Sequence, residues 1–114
     1  MREGDVVLTP LPQADGQVKN RPAVVLRVMP SHGDLLVCGV STPIHQEVGG
    51  FDELIKPADA DFATSGLKSA SLIRLGFLAV LPVASFIGCI GAISNDRHRR
   101  RLENLSLWTS SGPA

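Results

Sequence analysis

The sequence predicts a mainly β protein with a C-terminal helix (α+β), built as a small, strongly bent antiparallel sheet or barrel that the helix closes. Three observations predict it. Short aliphatic and β-branched runs (DVVLT, PAVVLRVM, DLLVCGVST, SLIRLGFLAVL, SFIGCIGAI) recur along the chain. Stretches rich in Pro, Gly and Asp separate them, the pattern of small sandwiches and barrels. Only SNDRHRRRLENLSLW, near the end, changes to a helical spacing of apolar residues. A length of 114 residues fits one domain, 1–114, with enough chain to hold a core unaided.

Each element has its own warrant. Residues 5–9 form a first strand, and PLPQADGQVKN, with two prolines and an Asp-Gly step, is expected to be a loop over 10–20. Residues 22–29 form strand two. Pro22 fits at the first residue of a strand, where it removes no central ladder bond. PSHG at 30–33 turns the chain into strand three, 34–42, and PIHQEVGGF is a second loop. DELIK, 52–56, reads as a short edge strand whose charges discourage sheet extension. Residues 57–70 are irregular with a helical turn. Strand 71–81 bends at Gly76, and 85–93 is the last strand. Ser94 and the Asn and Asp after it provide an N-cap for a helix over 94–108, with Leu102, Leu105 and Trp108 on one side. The tail TSSGPA is expected to fray.

Composition excludes several classes. Eleven Lys+Arg against eleven Asp+Glu give zero net charge, so bulk charge cannot drive indiscriminate nucleic-acid binding. Cys38 and Cys89 lie in apolar surroundings without a CxxC partner and read as buried free thiols. The three histidines are scattered, and no metal or cofactor motif is present in the sequence. The opening residues do not read as a basic-then-apolar leader, and a cytoplasmic protein is expected. Residues 75–94 run without a charge, long enough to be weighed as a membrane span. Gly76, Pro82, Gly88 and Gly91 cut the run into strand lengths, so no membrane association is expected.

The chemistry centres on VKNRPAVVL. Arg21 stands at the mouth of a buried strand. If the hairpin closed at 30–33 is regular, Met29 faces Asp34 and paired numbers sum to 63, which sets Arg21 opposite Thr42 and Pro22 opposite Ser41. Arginine and a Ser41–Thr42 hydroxyl pair then meet where strands become loops, the usual place for function on a rigid scaffold. A guanidinium fork matches phosphate bidentately, and an adjacent hydroxyl donates to a phosphoryl oxygen. Together they can stabilise the charge that builds on a phosphodiester during transesterification. The plainer reading is a strand-end arginine bonded to the facing loop. Arg97, Arg99, Arg100 and Arg101 crowd the start of the last helix, against its dipole. A solvated helix face is the first reading, and a patch for RNA or an acidic partner segment the second.

REGDVVLTP, NRPAVVL, the VST that ends strand three, DFATSGLKSASLIR and FIGCIGAIS before a helix, in this order, resemble the PemK/MazF family of toxins of type II toxin–antitoxin systems. The resemblance spans nearly the whole chain. It implies an SH3-like, partly open barrel, usually a homodimer, blocked by a cognate antitoxin. It implies a metal-independent endoribonuclease without cofactors. In such enzymes the 2′-OH of single-stranded RNA attacks the neighbouring phosphate, leaving a 2′,3′-cyclic phosphate and a 5′-OH. Arg21 would then be the catalytic arginine, with Ser41 the supporting hydroxyl and Thr42 its alternate. Lys19, Asn20, His45 and Lys68 would line the RNA. The family often carries aromatic residues where this chain has PLPQ, and the chain holds only four Phe and one Trp, so RNA affinity or sequence choice is expected to differ. The alternatives are a non-catalytic barrel that binds a protein such as DNA gyrase, and an inactive toxin that binds only its antitoxin.

Overall fold

The computed structural model describes residues 1–12, 14–30, 32–42 and 47–111. Six strands form one antiparallel sheet: β1 (Asp5–Pro12), β2 (Val18–Val28), β3 (Leu35–Ser41), β4 (Glu53–Ile55), β5 (Ser71–Leu81) and β6 (Gly88–Ala92). Their spatial order is β4-β5-β3-β2-β1-β6. A short helix α1 (Phe62–Ser65) precedes β5, a single 3-10 turn (Val83–Ser85) precedes β6, and α2 (Asn95–Ser111) closes the chain.

Both faces of the sheet are covered, which explains why the strands read as unbroken apolar runs rather than alternating ones. Neighbouring residues go to opposite sides. Val6, Val24, Leu26, Cys38, Val40, Ile73 and Leu75 join one cluster, against which Leu102 and Leu105 of α2 pack. Val7, Ala23, Val25, Leu35, Val37 and Phe86 form the other, under Phe77, Ala79 and Leu81. Each fully buried Val or Leu contributes about 1.5–3 kcal/mol.

Three irregularities curl the sheet into a partly open barrel. Leu26 is an extra residue on β2: Val25 pairs with Val37, but Arg27 pairs with Leu36. On β5 the ladder to β3 jumps from Leu78 to Arg74, leaving Leu75, Gly76 and Phe77 unpaired. This is the bend expected at Gly76. The Asp52 carboxylate supports it, accepting from the backbone of Leu75 (3.1 Å) and of Val48 (3.1 Å). The third irregularity is on β6, where Ile90 is an extra residue. Bulges of this kind bend a strand and raise its twist.

Several expectations need correction. β1 runs on to Pro12 and β2 starts at Val18, so most of 10–20 is hairpin rather than loop. Pro10 and Pro12 pair with Asn20 and Val18. Pro22 therefore lies inside β2. It is tolerated because the ladder to β3 ends one residue earlier, at Ala23–Gly39, so no bond on that side is lost. The last strand is shorter than expected, since 83–85 coils as a 3-10 turn. α2 extends to Ser111 through residues expected to fray. Among the described residues, no helix is long and apolar enough to cross a membrane. At Gly66, the left-handed residue ending α1 (φ 77°), a Cβ would collide with the Ile90 carbonyl. The chain needs glycine there to bring α1 against β6.

Candidate functional site

β1 and β2 form a regular ladder in which Thr9 pairs with Arg21. On the other side of β2, Ala23 pairs with Gly39. Continuing that register two residues brings Arg21 level with Ser41. The Leu26 bulge is the reason: the turn end keeps the regular sum of 63, seen in Arg27–Leu36, and beyond the bulge it falls to 62, seen in Val25–Val37. Extended in this way past its last printed pair, the register sets Arg21 level with Ser41, where a regular hairpin would set it opposite Thr42. Thr42 lies exposed at the bend just past β3.

Antiparallel partners share a face. Residues two apart on a strand do too. Arg21 thus lies on the side of Ala23 and Val25, Ser41 on the side of Val37, and Thr9 on the side of Val7, all members of one cluster. Ser41 in turn pairs with Leu72 of β5. The row Thr9–Arg21–Ser41 crosses three adjacent strands, with the cation in the middle.

The polar accounting of this row is unusual. Arg21 is half-buried, and among the described residues it has no hydrogen-bond or ion-pair partner. Thr9 is fully buried. The hydroxyls of both Thr9 and Ser41 are buried without a partner among the described residues. A buried polar group left unpaired costs about 1–3 kcal/mol, so this row holds polar capacity that the described residues do not use.

The other expected site residues spread along the same strands and beyond. Lys19 lies two residues before Arg21, on the same face, exposed; Asn20 is exposed and turned the other way. Lys68 is exposed between α1 and β5. Arg74 pairs with Gly39 and faces the same side as Arg21, half-buried. His45 lies outside the described residues. Sequence reasoning missed Thr9, because Pro10 and Pro12 hid the continuation of β1. A two-residue turn at Asp15–Gly16 would have set Pro10 opposite Arg21, one residue from the observed pair.

The arginines of α2 divide: Arg99 and Arg100 are exposed, as a solvated face would have them, while Arg97 and Arg101 are turned into the barrel. Arg97 and Arg101 are 6% and 2% exposed. Arg97 donates its Nε (2.8 Å) and an Nη (3.0 Å) to Asp61, and reaches Glu53 at 2.7 Å and Asp59 at 3.1 Å. Arg101 bonds the Phe51 carbonyl and lies 2.5 Å from Glu53, which also receives Arg100 at 2.7 Å. Ser94 caps the helix by accepting from the Arg97 backbone (3.1 Å), and Asp61 accepts from the Ser94 backbone (3.0 Å). The bonds from Arg97 hold the Asp61 carboxyl down at about 2, against a burial that pushes it up. Burial also pushes Glu53 up, but Arg100, Arg101 and Arg97 outweigh it and hold it below its ordinary value. These cations bind the helix to the barrel. Only Arg99 faces solvent with exposed partners, Asp96 and Glu103.

Of the two thiols, Cys38 is buried, and desolvation pushes it up to about 12. Cys89 is exposed, contrary to expectation. It sits on the outermost strand of the sheet.

The fold is similar to that of the Mycobacterium tuberculosis toxin MazF-mt6, with a TM-score of 0.68 over 93% of this chain and 96% of that one, at 17% identity. At that identity the likeness speaks for the fold alone. No curated protein matches the sequence. The family model for the PemK-like, MazF-like toxin of type II toxin-antitoxin systems matches residues 2–108. With nearly the whole chain matched, the protein belongs to the PemK/MazF-like family of type II toxins.

Proposed function

We propose that this toxin is an endoribonuclease that cuts single-stranded RNA without a metal ion. The ribose 2′-OH attacks the adjacent phosphorus, the P–O5′ bond breaks, and the products carry a 2′,3′-cyclic phosphate and a 5′-OH. Arg21 is the observation that carries this reading: a half-buried guanidinium without a described counter-charge, level with the partnerless Ser41 hydroxyl. The buried cations of α2 are all matched to carboxylates; this one is left for an anion supplied from outside. A guanidinium keeps its proton throughout the neutral range. Charge neutralisation on the equatorial oxygens is therefore the role assigned to Arg21, and Ser41 donates to one of them. Lys19, Lys68 and Arg74 would hold flanking phosphates. Asn20, His45 and Thr42 would lie along the RNA path.

Membership of the family implies a cognate antitoxin, and we place its contact over the strand ends that carry Arg21 and Ser41. The assembly in this reading is a homodimer, for which the free part of β5 is the best support. β4 pairs only with Ser71–Ile73, so β5 beyond Ile73 has β3 on one side and no described strand on the other. Leu78 and Val80 are exposed there. A second copy would cover this edge.

Labelled single-stranded RNA incubated with the protein and EDTA tests the activity. The wild type should release fragments ending in cyclic phosphate, and Arg21→Ala should slow this by about 10²–10³-fold, the usual loss when one preorganised donor is removed. RNA left whole by the wild type would overturn the reading in favour of a toxin that acts by binding a protein.

A further inference from the structure

We propose that Thr9 is a positioning residue for Arg21: its Oγ1 accepts a hydrogen bond from the guanidinium Nε and so aims the two Nη groups at the phosphate. The proposal rests on the endoribonuclease reading for the identity of that phosphate.

Three observations lead to it. Thr9 and Arg21 are direct partners in the β1–β2 ladder. Cβ atoms of such partners stand about 4.5–5.5 Å apart. Nε is three bonds from the Cβ of Arg21 and Oγ1 one bond from that of Thr9, so the two, not bonded to each other in the structure, come within hydrogen-bond reach once Arg21 changes rotamer. Second, Thr9 is 0% exposed. A hydroxyl so covered cannot reach substrate; it acts through a neighbour. Third, that hydroxyl has no partner among the described residues, although the buried positions of β1 and β2 on the same face are apolar: Val7, Ala23 and Val25. A valine has the shape of threonine without the unpaired group. The oxygen is justified once Arg21 turns onto it.

The geometry also divides the labour. With Nε engaged by Thr9, the parallel pair of Nη donors remains for a bidentate grip on phosphate, and Ser41 approaches from the opposite side of β2. A guanidinium without the Thr9 contact still carries its charge but samples more orientations, so binding survives better than turnover.

Thr9→Val and Thr9→Ser test this. On single-stranded RNA, kcat should fall by about 10–100-fold in T9V, the range for a lost hydrogen bond to a charged group. KM should move by less than about three-fold, the melting temperature should hold or rise, and T9S should recover most of the rate. In nitrogen NMR of the wild type with inorganic phosphate, the Arg21 Nε–H should exchange slowly, and this protection should vanish in T9V. An unprotected Nε–H in the wild type, or T9V turning over like wild type, would overturn the proposal. The wild-type NMR measurement needs neither a folded variant nor catalysis. A protected Nε–H in a wild type that cuts no RNA would therefore refute the nuclease reading and leave the positioning role standing.

Discussion

Ser41 and Thr42 are adjacent hydroxyls in different situations. One is aligned with Arg21 and has a buried, partnerless oxygen; the other is exposed at a bend. Substitution should separate them. Ser41→Ala is expected to lower RNA cleavage by about 10²-fold with stability held or raised, because the change removes an unsatisfied buried group. Thr42→Ala should stay within about three-fold of wild type. Equal losses in a cleavage assay, or a larger one at Thr42, would show that the register does not decide which hydroxyl works. Arg21 could be singled out in the sequence by its place before Pro22 at the head of AVVL, although a strand-end arginine bonded to the facing loop was the plainer reading there. Its partner was legible only to within one residue, because nothing in RPAVVLRVM marks the bulge. Thr9 was not legible at all: two prolines read as loop, and only the observed β1–β2 pairing shows that they belong to a strand.

At the level of elements, α2 is held by charge as much as by apolar contact. Removing water from Arg97 and Arg101 is costly, and their bonds to Asp61, Glu53 and Phe51 offset that cost. The arrangement is sensitive to acid. The folded-state value of Asp61, about 2, lies below its ordinary 3.8. Its contribution is thus complete above about pH 4 and is lost as pH falls toward 2, which amounts to about 2 kcal/mol. Urea unfolding followed from pH 4 to pH 2 should show that loss in wild type, and Asp61→Asn should flatten this part of the profile. An unchanged slope in D61N would assign the acid sensitivity elsewhere. The helix was readable from its cap and its Leu102–Leu105 spacing. The fate of its arginines was not, because their carboxylates come from 53–61, more than 30 residues away in sequence, and helical periodicity carries no trace of a partner so distant.

For the whole molecule, zero net charge leaves association to local features. The open side of β5, with Leu78 and Val80 exposed, is the proposed meeting place of two copies. Sedimentation should find a dimer at micromolar concentration, and Val80→Asp should yield a folded monomer; a wild-type monomer at that concentration would remove the homodimer from the proposed function. The curled sheet as a whole was legible from strand lengths and turn residues, and its bend at Gly76 was too. What the pattern did not carry is the phase between strands, which backbone pairing sets. The extra residue at Leu26 has a consequence for comparing relatives. Twenty positions separate Arg21 from Ser41 along this chain. A relative that lacked the bulge would present the same two side chains to each other across nineteen. A column-by-column comparison would then pair its hydroxyl with the wrong neighbour, so in this family equivalence is safer counted across the ladder than along the chain.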